Sequence, residues 1–362
     1  MSVNIGIIGL VKSGKTTVFN TLTGAKAEAG LAPNIGVTKV PDPRLDAMAD
    51  LLHPGKIVPT EVCFTDIGAS AKGLADGKGI SGEFLSHLST MDALIAVVRA
   101  FRDESVPHAE GSIDLLRDIA TINLELAVSD LFIIDRRLPR IEEALKGTKQ
   151  PEQQHLLQER QLLLKIKASL EEDVPVCQMD LSHDESRTII NFQFLTAKPL
   201  LIMANIGEEQ LAEAASLEEK INSRFSRLGC GAIALCGKLE MELAQLDEAT
   251  ADQCRNEYCL EQPGRDRAIR LSYQLIGLIT FFTIASNELK AWPIPTGTDT
   301  VTAAGKIHSD MQRGFIRAEV IGYDDLVTCG STAEARKRGL LRLEGKGYTI
   351  RDGDVITFLF NV

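Results

Sequence analysis

Short apolar runs separated by longer mixed stretches mark the first two-thirds of the chain. VNIGII (3–8), EVCFTD (61–66), DALIAVVRAF (92–101), PLLIMAN (199–205) and AIALC (232–236) are each brief, and most are rich in Val, Ile or Ala. Strands covered on both faces read this way, because no position along them has to meet water. Helical stretches lie between the runs, Lys15 to Leu22 being the first. That alternation predicts an α/β fold with a doubly wound, mostly parallel sheet.

Between residues 101 and 199 the period changes. From Ile113 the apolar residues Leu116, Ile119, Ile122, Leu126, Leu131, Ile134, Leu138, Ile141 and Leu145 recur at helical spacing. GTKQPE (147–152) breaks the pattern, and Leu156, Leu157, Leu163, Ile166 and Leu170 resume it. Two helices joined by a polar Gly/Pro turn predict an antiparallel hairpin. At 1.5 Å per residue the first helix is about 50 Å long, so the hairpin is expected to project from the sheet domain. Helix-on-helix packing accounts for the Leu/Ile stripe. What is left for function is the exposed tip and flank, with Arg136, Arg137, Arg140, Lys146 and Lys149.

LEMELAQL (239–246) and PGRDRAIRLSYQLIGL (263–278) continue the helical texture, and then it stops. FFTIA, KAWPIPTG, GFIRAEVIGY and DVITFLFNV are short β-rich pieces, and YTIRDGDVITF sets a DG turn between alternating segments. The expected organisation is a sheet domain from 1–112 and 195–278, an inserted helical hairpin over 113–194, and a small α+β domain over 279–362. Acidic and basic residues balance within that last stretch, so it carries no net basic signal.

Composition narrows the classes. The chain has 362 residues, 44% apolar and 25% charged, an ordinary globular balance with room for two or three domains. No apolar run reaches the length of a membrane span. Cys63, Cys177, Cys230, Cys236, Cys254, Cys259 and Cys329 are scattered without a CxxC pair. Neither a disulfide framework nor a zinc site is expected from them, and a reducing compartment fits. The opening residues lack the basic and apolar regions of a signal peptide, so a cytoplasmic protein is expected. The formal net charge of −11 argues against a general polyanion binder, and no DNA partner is expected.

The strongest chemistry lies after the first apolar run. GLVKSGKT (9–16) fits G-x-x-x-x-G-K-[ST], with a strand before it and a helix after it. The glycines let the backbone wrap closely around phosphates, while successive N–H groups and the helix N-terminus favour an anion. Lys15 is expected to reach the β- and γ-phosphates, and the Thr16 hydroxyl to bind Mg2+. Asp66 ends the EVCFTD strand, where a P-loop enzyme places its second magnesium-associated acid. The loop GASAKGLADGKGISG (68–82) holds five glycines and is a candidate switch that orders on the γ-phosphate.

Base choice is read further on. LIMANIGEE (201–209) ends a strand where guanine-specific GTPases carry N-K-x-D. The chain keeps Asn205, but has Ile206 for the Lys that packs over the ring and Glu208 for the Asp that pairs with guanine. Glu is one methylene longer, which moves the acceptor pair out of register. A site built for base hydrogen bonds discriminates strongly against a misfit. ATP is therefore expected over GTP.

The order of P-loop, VPDPRLD (40–46), TDIG (65–68), NFQFLTAKPLLIMANIGE (191–208), LCGKLEMELAQL (235–246) and HSDMQRGFIRAEVIGYDDL (308–326) resembles the Obg-like ATPase (YchF) family. The resemblance runs essentially end to end, and the tail LEGKGYTIRDGDVITFLFNV is its most specific part. It implies a translation-factor-related P-loop domain with an inserted helical hairpin and a C-terminal TGS-type β-grasp domain. It also implies association with the ribosome, typically the large subunit or its RNA, and hydrolysis of ATP in preference to GTP. By the same resemblance Lys12, Ser13, Gly14, Lys15, Thr16 and Thr17 hold phosphate, with Thr16 and Asp66 holding Mg2+. Asn205, Ile206 and Glu208 meet adenine, and His108 in SVPHAEG helps orient the attacking water.

Three departures bear on hydrolysis. The family's D-x-A-G is replaced by Asp66-Ile67-Gly68-Ala69, and Ala69 has a narrower backbone range than glycine. Ser70 follows, where the family has a hydrophobic residue and many GTPases have Gln. Between NTLTGAKAEAG (20–30) and APNIGVTKVPDPRLD (32–46) about six residues of the usual switch segment are absent, including its threonine. Thr38 lies nearby but is not assigned that role. The leading expectation is a slow ATPase whose nucleotide state alters ribosome contacts. The alternative is a hydrolysis-impaired nucleotide-binding adaptor for RNA or ribosome, and a P-loop kinase ranks last.

Overall fold

The structure is a computed structural model that describes residues 3–28, 32–67, 82–108, 111–147, 149–150, 152–225 and 229–361. Within it the chain divides into two compact units: residues 1–38 with 63–275, and residues 39–62 with 276–362.

The first unit is built on a sheet with the strand order β2-β4-β1-β5-β6-β7. Its strands are β1 (Val3–Ile8), β2 (Asn34–Lys39), β4 (Glu61–Asp66), β5 (Ala93–Arg99), β6 (Leu200–Asn205) and β7 (Cys230–Leu235), while β3 (Lys56–Val58) belongs to a second sheet. β1, β5, β6 and β7 pair in parallel, with Ile5 beside Ala93, Arg99 beside Asn205, and Asn205 beside Leu235. All seven positions of ALIAVVR in β5 are buried, as its unbroken apolar run requires. The carboxyl ends of β1, β5, β6 and β7 therefore lie along one edge, where an open α/β sheet binds its ligand.

The predicted hairpin is present as helices Leu115–Leu145 and Glu152–Glu171. Asp114 caps the first, accepting from the Arg117 N–H. The long helix has two partners along its length. Near its start Ile119, Ile122 and Leu126 join the core beneath β5 with Ala96 and Val98. Further on Ile134 and Ile141 pack with Leu162, Leu163, Ile166 and Leu170 of the return helix. Between these zones Asp130, fully buried, accepts from the N–H groups of Leu195 and Thr196 at 2.7 and 2.8 Å and from the Thr196 hydroxyl at 2.6 Å. One carboxylate thus ties the long helix to the chain re-entering the sheet. Burial pushes its carboxyl up to about 6 even against those donors.

The second unit is a mixed sheet of order β11-β10-β12-β8-β9-β3, from β8 (Leu278–Ala285), β9 (Glu288–Pro295), β10 (Phe315–Gly322), β11 (Arg342–Glu344) and β12 (Asp354–Phe360). β8 and β9, which hold the expected β-rich pieces FFTIA and KAWPIPTG, pair as an antiparallel hairpin with Phe281 opposite Trp292. One face is covered by helix Thr300–Ile307, whose Ala303 and Ala304 pack on Phe281, Ile294 and Phe358.

The other face holds a feature outside the sequence reading. Helix Pro43–Leu52 and β3, which fall in the stretch expected for the sheet domain, are part of this unit. Leu45 and Met48 complete a core with Phe282, Leu289, Ile321, Leu326 and Val355, and β3 pairs in parallel with β9. Arg44 holds the helix start, bonded to Asp42 and to Asp352, whose other oxygen accepts from the Thr280 N–H at 2.8 Å. Met48 is fully buried, and its helix finds its apolar partners more than 230 positions further along the chain.

Candidate functional site

The P-loop follows β1 and feeds helix Lys15–Thr23. Two glycines are obligatory here. A Cβ on Gly9, at φ 152°, would fall 2.3 Å from the Val97 carbonyl oxygen, and one on Gly14, at φ 92°, 2.2 Å from the Asn205 amide nitrogen. Lys15 folds back onto its own loop, donating to the Gly9 and Leu10 carbonyls at 3.0 Å each. Burial lowers its pKa against the pull of Asp66. An ammonium held on neutral carbonyls gains the attraction of opposite charge when it exchanges them for phosphate oxygens.

Thr16 donates its hydroxyl to Asp66 Oδ2 at 2.8 Å. The opposite carboxylate oxygen of Asp66 and the hydroxyl of Ser13, both buried, have no hydrogen-bond partner among the described residues. Buried polar groups without partners are costly, so the site is built for a polar ligand. A hydroxyl beside a carboxylate with a spare oxygen is a donor set that fits Mg2+ in a P-loop. Among the described residues no group of three or more His, Cys, Asp or Glu could hold a metal elsewhere. Lys12 sits exposed on the loop crest at φ 62°.

Beyond the P-loop lies a cleft of about 850 Å³ lined by Gly14, Thr17, Phe101, Asn205, Glu208 and Lys238 among others. Asn205 is its keystone. Its amide donates to the Ser13 carbonyl at 3.0 Å and its oxygen accepts from the Gly237 N–H at 3.2 Å, joining the P-loop to the loop after β7. Glu208 Oε2 accepts from the Tyr258 hydroxyl at 3.3 Å, and Oε1 lies 3.8 Å from Lys238 Nζ. The carboxylate is thus already oriented by neighbours. Ile206 is 2% exposed and packs in the core beneath the cleft with Leu239 and Leu243, so it meets the cleft from below.

Comparison with known proteins decides the family. A ribosome-binding ATPase YchF of Bacillus subtilis is 38% identical over all of this chain and all of that protein. The chain belongs to the YchF family. The YchF protein of Escherichia coli O157:H7, of the same description, is 37% identical over the full length of both. The solved YchF GTPase of Schizosaccharomyces pombe superposes with a TM-score of 0.86 at 27% identity, covering 99% of this chain and 98% of that one. Residues 4–134 match the family described as 50S ribosome-binding GTPase, and residues 278–361 match the YchF-GTPase_C family, described as a protein of unknown function. The P-loop GTPase fold with a helical insert and a C-terminal β domain is that of the YchF structure.

Within this YchF chain the sequence-expected residues fall into two groups. Ser13, Gly14, Lys15, Thr16, Thr17, Asp66, Asn205 and Glu208 converge on the P-loop and the cleft. His108 is elsewhere engaged: its Nε2 lies 2.9 Å from Asp118 Oδ2, both side chains are buried, and Arg117 braces Asp118 from the other side. It is not among the residues lining the cleft. Thr38 accepts from Arg265 Nη2 at 2.8 Å. Residues 68–81, most of the glycine-rich loop with Ala69 and Ser70, lie outside the described residues.

Sequence reading missed Phe101 and Lys238 at the cleft, and Tyr258, which donates to Glu208. Phe101 stands just past the end of β5 and Lys238 in the first turn after β7, so a rule that looks for polar or aromatic residues at the carboxyl ends of parallel strands finds both. Tyr258 comes from a distant helix end and leaves no such signal. Glu240, buried one turn on, accepts from the Gly264 and Arg265 N–H groups and so caps the helix that carries Arg265.

Proposed function

We propose that this YchF protein is a magnesium-dependent, slow switch-type ATPase that acts on the ribosome. The observation that carries the reading is the base cleft: Glu208 stands where a guanine-binding Asp would, and Tyr258 and Lys238 already hold its carboxylate. The guanine register is lost, and ATP is the preferred substrate. Lys15 turns from the Gly9 and Leu10 carbonyls to the β- and γ-phosphates, and the Ser13 hydroxyl gains a partner. Thr16 and Asp66 would hold Mg2+, which neutralises the charge of the phosphates when bound.

The ribosome-binding descriptions of the Bacillus subtilis and Escherichia coli relatives support a ribosomal partner, for which the large subunit or its RNA is the proposed contact, in the cytoplasm. In this reading 1–112 with 195–278, apart from the 39–62 stretch that belongs to the second unit, is an Obg-type nucleotide domain, 113–194 the hairpin, and 279–362 a TGS-type β-grasp domain. His108 serves as water-orienting group only after leaving Asp118.

A second reading is a hydrolysis-impaired adaptor that keeps nucleotide as a structural ligand. It is favoured by His108, whose bond to Asp118 occupies the group a hydrolytic centre would draw on. Titration with fluorescent ATP and GTP analogues, followed by multiple-turnover phosphate release with and without ribosomes, separates the two. Tight ATP binding with turnover supports the ATPase, tight binding without turnover supports the adaptor, and a preference for GTP overturns the base assignment.

A further inference from the structure

Arg99, the last residue of β5, is 3% exposed. It stands beside Asn205 in the sheet register, yet its guanidinium makes no bond to a carboxylate in the hydrogen bonds it donates. It donates instead to three backbone carbonyls of the loop that follows: Nε to Phe101 at 3.3 Å, Nη2 to Asp103 at 3.1 Å and Nη1 to Val106 at 2.7 Å. The same guanidinium lies 4.5 Å from the centroid of the Phe101 ring. Burying a guanidinium is expensive, and here the three carbonyl bonds, with the Asp103 carboxylate nearby, offset that cost.

What the arrangement achieves is a fixed wall. Phe101, Arg102 and Asp103 line the proposed nucleotide cleft together with Gly207, Glu208 and Lys238. The N–H groups of Ala100 and Phe101 both donate to the Asn205 carbonyl, at 2.8 and 3.0 Å. Asp103 in turn accepts from the Ser105 N–H and hydroxyl, closing the turn. The wall is therefore tied to β6 at its start and to Arg99 at three further points.

We infer that Arg99 is a positioning residue for base recognition: by gripping the carbonyls of Phe101, Asp103 and Val106 it holds the wall of the cleft at the spacing of a purine. It touches no nucleotide itself. The inference rests on the reading of this cleft as the base site, and it concerns the base alone. The phosphate end is held by the P-loop, whose bonds do not involve Arg99.

The test uses the full chain with Arg99→Lys, which keeps the charge but loses the fork, and Arg99→Met, which keeps only the stem. Affinities for ATP, GTP and magnesium tripolyphosphate are measured by displacement of a fluorescent nucleotide, with circular dichroism as the fold control. Arg99→Lys is expected to weaken purine nucleotide binding about tenfold, KM rising with kcat little changed, while tripolyphosphate affinity stays within about twofold. A general loss of structure would weaken all ligands together, and that result, or unchanged nucleotide affinity, overturns the inference. If Arg99→Met does not fold, Arg99→Lys carries the test. A wild type that prefers GTP overturns the ATP assignment alone, and the variants are then judged on GTP. A wild type that binds tripolyphosphate but discriminates no base overturns both.

Discussion

Thr16 donates its hydroxyl to Asp66 over 2.8 Å, across fifty positions of sequence, and leaves the second Asp66 oxygen buried without a partner among the described residues. That pair joins the start of the P-loop helix to the end of β4, and its spare oxygen is where the proposed magnesium ion would bind. Asp66→Asn keeps the shape and removes the charge. It is expected to lower magnesium-dependent ATP affinity by about 10- to 100-fold, the usual effect of an outer partner on metal binding. Affinity measured in a chelator should be unchanged, and the melting temperature of the free protein should hold. Loss of binding in both conditions would show that Asp66 supports the loop rather than the metal.

Much of this site was legible in the sequence because its parts are local. The P-loop spacing, the strand before it and the acid ending EVCFTD are each fixed by a few neighbouring residues, and Lys15, Thr16 and Asp66 stand where that pattern puts them. The parallel strands were readable from unbroken apolar runs, and the hairpin from its period. What stayed hidden was non-local. β2 has one buried position and a glycine in its middle, so NIGVTK shows no strand pattern. Helix Pro43–Leu52 reads as an ordinary amphipathic segment, and nothing local in it says that Met48 packs on Phe282 and Leu289. His108 shows the converse. A histidine after a strand carries no sign that a buried aspartate ten residues on engages it.

Asp130 carries a pH dependence of definite sign. Burial raises its carboxyl from 3.8 to about 6 in the folded chain, so the native state binds a proton that the unfolded chain has released. Its contribution to stability is fully present below the unfolded value and is lost as pH rises through the folded one. Between those values stability should fall by an amount on the order of 3 kcal/mol, then level off. Asp130→Asn removes the titration. The stability difference between wild type and variant, from urea unfolding across that range, should shrink as pH rises. A constant difference would mean that the three donors from Leu195 and Thr196 offset burial fully.

Met48 tests the division of the chain. Its helix lies between two strands of the first sheet in sequence, but its side chain is fully buried among residues of the second unit. Met48→Ala opens a cavity there and should cost about 2–5 kcal/mol locally. Hydrogen exchange is expected to quicken in β8, β9 and β12, with β1, β5 and β6 unaffected. Equal acceleration in both sheets would mean that the two units unfold as one.

On the proposed reading, Glu208 is the residue at which base choice can be reversed. Its carboxylate is extended to the Tyr258 hydroxyl at 3.3 Å and towards Lys238. Shortening it by one methylene withdraws the acceptor pair from Tyr258 and returns it to the register at which guanine's N1–H and 2-amino groups are read. Glu208→Asp should therefore raise GTP affinity relative to ATP by about tenfold, as one well-placed hydrogen-bonding pair allows. Tyr258→Phe isolates the other half of the argument, because it frees Glu208 without moving it and should relax the preference less. Ile206→Lys is a poorer route to the same end. At 2% exposure that side chain lies in the core, and an ammonium placed there destabilises the sheet edge before it can reach a ring. Competition between labelled ATP and GTP for Glu208→Asp and Tyr258→Phe gives the ratio directly. An unchanged ratio in both would place discrimination on the wall at Phe101, and not at Glu208.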